Sequence, residues 1–125
     1  MKSEHIALNI IDSNEVEKFY HNILGMIEVR KYELDNNLAK RFFNINKDTS
    51  VHLMRKDDFV LELFVNENVT NHGFNHICIK VENREDIVSK AKDNSYKCVR
   101  REREHFDQIF ISDKSGNIFE IKDVD

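Results

Sequence analysis

The stretch His5-Ile-Ala-Leu-Asn-Ile10, followed by Asp12, Glu15 and an apolar series ending at Gly25, has a counterpart later in the chain. There His76-Ile-Cys-Ile-Lys-Val81 is followed by Asn83 and Asp86. In both copies a histidine opens an apolar segment that reads as a half-buried strand. Seven residues after each histidine stands an Asp or Asn able to cap a helix, with an acidic residue three positions further on. In the first copy Val16, Phe19, Tyr20, Ile23 and Leu24 give the stripe of an amphipathic helix, and Gly25 stands where a left-handed C-cap is wanted. In the second copy Ile87, Val88 and Ala91 give a thinner stripe that ends near Asn94.

The two halves also close alike. Val60-Leu-Glu62-Leu-Phe64 and Ile118-Phe-Glu120-Ile-Lys122 each centre a lone glutamate in an apolar strand. The intervening segments read as extended at Ile27–Leu34, Leu38–Ile45 and Ser50–Met54 in the first half. In the second half they are Tyr96–Arg101 and Gln108–Ser112, with a tight turn at Asp113-Lys-Ser-Gly116-Asn117. Each half therefore reads strand, helix, then strands. The polar residues from Asn66 to Asn75, which include Gly73, form the joint. We expect an α+β fold in a single domain, 1–125, of two tandem βαβββ modules, the first about 1–66 and the second about 75–125.

At 125 residues the chain supports one domain with a modest core. It has no proline and only three glycines, which excludes collagen-like and linker-rich architectures. No apolar run is long enough to span a bilayer, and the first residues lack the apolar stretch of a signal peptide. Cys78 and Cys98 are the only cysteines and do not form a CxxC pair, so we expect a reducing compartment, the cytoplasm. The net charge is −4, and the cations Lys97, Arg100, Arg101 and Arg103 are interleaved with Glu102, Glu104 and Asp107, which argues against a nucleic-acid partner.

A single strand histidine is ordinarily a packed or surface residue, and a single strand glutamate ordinarily faces solvent. Glu62 departs from that rule, because Val60 and Phe64 flank it on its own face while Leu61 and Leu63 cover the other. A carboxylate in such surroundings costs several kcal/mol unless a cation or strong donors compensate it. The repeat places His5, Glu62, His76 and Glu120 at corresponding points. Two imidazoles and two carboxylates suit a divalent transition metal, and without a thiolate they do not select among zinc, nickel, cobalt, manganese and iron. The other histidines, His21, His52, His72 and His105, lack repeat-related partners and are expected at the surface. Cys78, equivalent to Ala7, is expected to be a small packing residue.

In this order and spacing, His5-Ile-Ala-Leu, Phe19-Tyr20-His-Asn-Ile-Leu24-Gly25-Met26, Leu61-Glu62-Leu, Gly73-Phe-Asn-His76-Ile and Asp113-Lys-Ser-Gly116-Asn117-Ile-Phe-Glu120-Ile resemble the vicinal oxygen chelate superfamily. This is the glyoxalase/bleomycin resistance/dioxygenase fold. The resemblance implies curved sheets around a metal site and a homodimer acting on a small molecule. The His-Glu-His-Glu set is similar to that of glyoxalase I, lactoylglutathione lyase. It implies a nickel or zinc centre held by His5, Glu62, His76 and Glu120, with Glu120 as first choice for general base and Glu62 as second. The reaction implied is proton transfer next to a carbonyl on a 2-oxoaldehyde–thiol adduct. Alternatives within the resemblance are an acyl-CoA epimerase and a metal-free binding protein for small molecules such as antibiotics. Asn66 resembles the asparagine that holds the thiol cosubstrate in glutathione-dependent members, whereas Asn9 stands where those members carry an arginine. The thiol therefore stays open. The segment from Arg100 to Asp113 is also shorter than the mobile substrate loop of those enzymes and has no glycine.

Overall fold

The computed structural model describes residues 1–69 and 73–125. Their contacts divide the chain into two compact units, Met1–Val69 and Thr70–Asp125. The second unit's bounds include three residues outside the described set, among them His72 and the middle of the joint.

The first unit runs β1 (Ile6–Ile10), a π-wound helical turn (Val16–His21), β2 (Ile27–Leu34), α1 (Asn36–Phe43), β3 (Thr49–Lys56) and β4 (Phe59–Val65). Its four strands lie in the order β1-β4-β3-β2, with β1 parallel to β4 and the other pairings antiparallel. The second unit runs β5 (Ile77–Val81), α2 (Arg84–Asp93), β6 (Lys97–Arg101), β7 (Gln108–Ser112) and β8 (Ile118–Asp123). Its sheet order, β5-β8-β7-β6, repeats the first strand for strand, again with the opening and closing strands parallel. The fold is α+β with two tandem modules, as the duplicated sequence pattern predicts.

In each sheet alternate residues face opposite ways, and one face forms the core. In the first unit that face carries Ile10, Met54, Leu61 and Leu63, all essentially buried, as are Phe19 and Tyr20 of the helical turn. In the second it carries Ile109, Ile111, Phe119 and Ile121, and Ile87, Val88 and Ala91 are the buried residues of α2. Burying such side chains contributes roughly 1.5–3 kcal/mol each. The last turn is built by Asp113, whose buried carboxylate accepts from the backbone N–H groups of Ser115 and Asn117 and from Asn117 Nδ2, each at 2.8 Å.

Three local expectations are corrected. The first helix is π-wound over Val16–His21, since the Asn22 N–H donates to Glu17 O at 3.0 Å and the Leu24 N–H to Phe19 O at 3.1 Å, five residues back in each case. That wider winding brings Phe19 and the adjacent Ile23 and Leu24 to one buried face. The segment expected to be extended over Leu38–Ile45 contains α1 instead. Asp35 caps it, accepting from the Leu38 N–H at 2.9 Å, and Asn44 ends it in the left-handed region at φ +59°. The strands opening each unit begin one residue after His5 and His76, so both histidines sit at strand entrances.

Gly25 has φ +72°, and a Cβ there would meet Lys56 Nζ at 2.9 Å. That ammonium donates to Leu24 O at 3.3 Å, so the glycine admits both the backbone turn and a cation at the end of the helical segment.

Candidate functional site

The register decides which side chains share the open face of each sheet. Glu62 on β4 is aligned with Ala7 on β1 and Leu53 on β3, and His5 lies two residues before Ala7, on the same side. His5 Nε2 lies 2.5 Å from Glu62 Oε1, with the imidazole 42% exposed and the carboxylate 14% exposed. Tyr32, from β2, is aligned with Val51 and reaches across β3, a span of about two strand spacings or roughly 10 Å. Its hydroxyl donates to Glu62 Oε2 at 2.6 Å. Burial, reinforced by the Glu62 carboxylate, pushes the Tyr32 phenol up to about 12, so it stays a proton donor at neutral pH. Both oxygens of Glu62 are thereby engaged.

The second unit repeats the placement with a looser outcome. Glu120 is aligned with Cys78 on β5 and Phe110 on β7, and His76 precedes Cys78 by two. His76 Nε2 lies 3.9 Å from Glu120 Oε1, with side-chain exposures of 47% and 13%. Gln108 Nε2 donates to Glu120 Oε2 at a long 3.4 Å. His76 is oriented by its other nitrogen, which lies 3.0 Å from Phe74 O, and by an edge contact with the Phe110 ring, centroids 6.1 Å apart. With Nδ1 donating to that carbonyl, Nε2 is the ring nitrogen left to bind a cation when the imidazole is neutral.

Each unit thus brings together one of the two expected His–Glu pairs. The donor chemistry fits a divalent transition metal: both imidazoles present Nε2, both carboxylates are largely desolvated, and neither set contains a thiolate. Among the described residues, neither unit by itself gathers three or more His, Cys, Asp or Glu side chains in a metal-holding group.

Asn66 follows β4, and its Nδ2 donates to Asn9 Oδ1 at 3.1 Å. The two residues singled out separately in the sequence are therefore joined. Both line a cavity of roughly 300 Å³ in the first unit. The segment between β6 and β7 is tied at its base, because Arg100 holds Asp107 at 2.8 Å and Glu85 at 2.6 Å, and Arg84 Nη1 donates to Asp107 O at 2.8 Å.

Two further expectations are revised. His52 is buried on the core face of β3, 6% exposed, with Nδ1 on Glu28 Oε1, and is not a surface residue. Among the described residues, its Nε2 is the one buried side-chain nitrogen or oxygen without a hydrogen-bond partner. Cys78 is exposed on the Glu120 face, so it does not fill the core; desolvation, followed by the Glu120 carboxylate, raises its pKa.

The profile of the Glyoxalase/Bleomycin resistance protein/Dioxygenase superfamily matches residues 2–121. The chain belongs to this superfamily. No curated protein matches it significantly in sequence. Among solved structures, this superfamily member is similar to a glyoxalase family protein from Enterococcus faecalis, at 18% identity and TM-score 0.70, covering 96% of this chain and 95% of that one. It is also similar to the trypanothione-dependent glyoxalase I of Leishmania major, at 21% identity and TM-score 0.70, covering 98% and 87%. A third is a variant of the fosfomycin resistance protein FosX from Listeria monocytogenes, itself complexed with Mn(II) and 1S,2S-dihydroxypropylphosphonic acid, at 16% identity and TM-score 0.74, covering 99% and 93%. At these identities the likeness establishes the fold of this superfamily member. No helix among its described residues is long and apolar enough to cross a membrane.

Proposed function

We propose that this superfamily member is a metal-dependent lyase that moves a proton next to a carbonyl, acting on a 2-oxoaldehyde–thiol adduct. His5, Glu62, His76 and Glu120 would hold the metal, nickel or zinc. A bound divalent cation supplies Lewis-acid stabilisation of the negative charge that builds on the substrate oxygens as the proton leaves. Glu120 takes the proton from the carbon beside the carbonyl and returns it to the neighbouring carbon, so the reaction is an isomerisation with no net proton change. Asn66, held by Asn9, contacts the thiol cosubstrate. The reading places the protein in the cytoplasm as a homodimer.

The observation that carries this assignment is the unequal restraint of the two carboxylates. From outside the ligand set, Tyr32 holds Glu62 Oε2 at 2.6 Å, whereas the corresponding donor to Glu120, Gln108, stands at 3.4 Å. A base that must swing between two carbons needs the second kind of environment, and a fixed ligand the first.

The test is Glu120→Gln. Isomerisation of 2-oxoaldehydes mixed with a panel of thiols should disappear while most metal binding survives, and full activity in the variant would overturn the assignment. Solvent-deuterium exchange into acyl-CoA thioesters, with no turnover of oxoaldehyde adducts, would identify an epimerase instead. The cavity beside Asn66 favours one second reading, a binding protein for a small apolar molecule, which requires no metal at all.

A further inference from the structure

Lys80 on β5 and Lys122 on β8 are register partners on neighbouring parallel strands, so their side chains leave one face of the second unit's sheet side by side. Cys78 and Glu120 occupy the same face one residue pair, about 7 Å, back along the strands. Like charges set directly opposite each other in a sheet cost stability. The duplicated architecture does not require this pair. The corresponding partners in the first sheet, four residues after its histidine and two after its glutamate, are Asn9 and Phe64.

Both lysines line a cavity of roughly 370 Å³ with Arg84, Phe106, Asp123 and Asp125. Its acids leave the lysine charge incompletely met. Asp123 is committed to Arg84, accepting from the backbone N–H at 2.9 Å and lying 3.5 Å from Nε, while Arg84 Nη1 donates to Asp107 O. Lys80 Nζ donates to Asp125 Oδ2 at 2.8 Å, but the Asp125 side chain is 92% exposed, so a ligand anion can take its place. Lys122 has no hydrogen-bond or ion-pair partner among the described residues, and Glu120 is paired with His76 and Gln108 instead. At the rim, the Arg103 guanidinium lies 5.2 Å from the centroid of the Phe106 ring and adds a further cation.

We infer that Lys80 and Lys122 form an anion subsite that takes a phosphate group borne by the substrate. Two neighbouring ammoniums are matched by a doubly charged oxyanion that accepts from both at once, whereas a singly charged carboxylate leaves one of them uncompensated. The identity of the molecule rests on the lyase reading, which assigns the thiol to Asn66 and so leaves the phosphate to the carbonyl part. The subsite itself needs neither metal nor turnover.

The experiment uses the full ¹⁵N-labelled chain after chelation, at about pH 8, where phosphate is a dianion, and at constant ionic strength. Inorganic phosphate and acetate are titrated separately and followed by backbone amide shifts. Phosphate should bind saturably and move the amides of Lys80 and Lys122, with acetate at least about tenfold weaker. Lys80→Met and Lys122→Met, both at exposed positions, should each weaken phosphate about tenfold. Lys97→Met, on β6 at the opposite edge of the same sheet, should leave it unchanged, and Asp125→Asn, which frees Lys80, should tighten it. Acetate binding as tightly as phosphate, shifts that never saturate, a loss from Lys97→Met equal to that from the paired lysines, or weaker binding in Asp125→Asn would overturn the proposal. Metal content, measured on separate unchelated samples, reports on the lyase reading alone, so failure of the subsite and failure of that reading are told apart.

Discussion

Tyr32 Oη donates to Glu62 Oε2 at 2.6 Å while His5 Nε2 stands 2.5 Å from Glu62 Oε1, so a strand two places away in the sheet holds the carboxylate opposite the histidine. Tyr32→Phe removes the donor without changing the packing of the ring. Metal affinity should fall about tenfold, the usual effect of losing a group that orients a ligand. Isothermal titration with nickel or zinc checks it, and unchanged affinity would show that Tyr32 does not position Glu62.

Asp113 holds the final turn through three hydrogen bonds of 2.8 Å at a site only 6% exposed. Asp113→Ala should destabilise the protein by roughly 2–4 kcal/mol, since it leaves buried donors without an acceptor. Urea denaturation measures this. A loss below about 1 kcal/mol would mean that water replaces the carboxylate there.

His52 carries a buried Nε2 with no partner and an ion pair to Glu28, whose side chain is 39% exposed. His52→Leu removes the orphaned nitrogen, and Glu28 can rehydrate. Stability should stay within about 1 kcal/mol of the parent protein, because replacing a buried polar pair by apolar packing is often neutral. His52→Asp should cost several kcal/mol, since it sets two carboxylates against each other in the same place. Thermal melts of the two variants should therefore differ widely, and similar melts would contradict the buried placement.

Desolvation raises both thiols, with Glu120 adding to the effect at Cys78. A raised thiol pKa keeps the proton on sulfur at neutral pH, and alkylation proceeds through the thiolate. Iodoacetamide should accordingly label both cysteines more slowly than a free thiol at pH 7, with rates still climbing through the pH range where a free thiol has levelled off. Fast labelling at pH 7 would show an activated thiol.

The duplicated order of strands was legible because it rests on coarse signals, a histidine and a glutamate inside an apolar strand, each occurring twice. Of the two caps expected seven residues after the histidines, Asn83 caps α2 through the Asp86 N–H, whereas the Asp12 carboxylate accepts from the Asn14 N–H and the first helical segment has no side-chain cap. Asp35 and Asn44 are the caps that mark α1, and Leu38, Ala39, Phe42 and Phe43 share one face at helical spacing, but the stripe spans barely two turns and lies among segments that read as strands. Tyr32 was missed for a different reason. Its strand is mostly exposed and mixed in polarity, and its link to Glu62 depends on register across β3. The pairing of Asn9 with Asn66 is of the same kind, a contact between β1 and the residue just past β4, 57 residues away in the chain. The helical turn at Val16–His21 shows a third limit, because the apolar spacing that forecasts a helix does not separate α winding from π winding when neighbouring residues Ile23 and Leu24 are both buried.

Whether His5, Glu62, His76 and Glu120 serve a metal centre is decided by elemental analysis of protein purified without an affinity tag or chelator. One divalent transition metal per ligand set is expected, lost in both His5→Ala and His76→Ala while the fold persists by circular dichroism. Protein free of transition metal that also fails to take up nickel or zinc, or metal content indifferent to both substitutions, would contradict it.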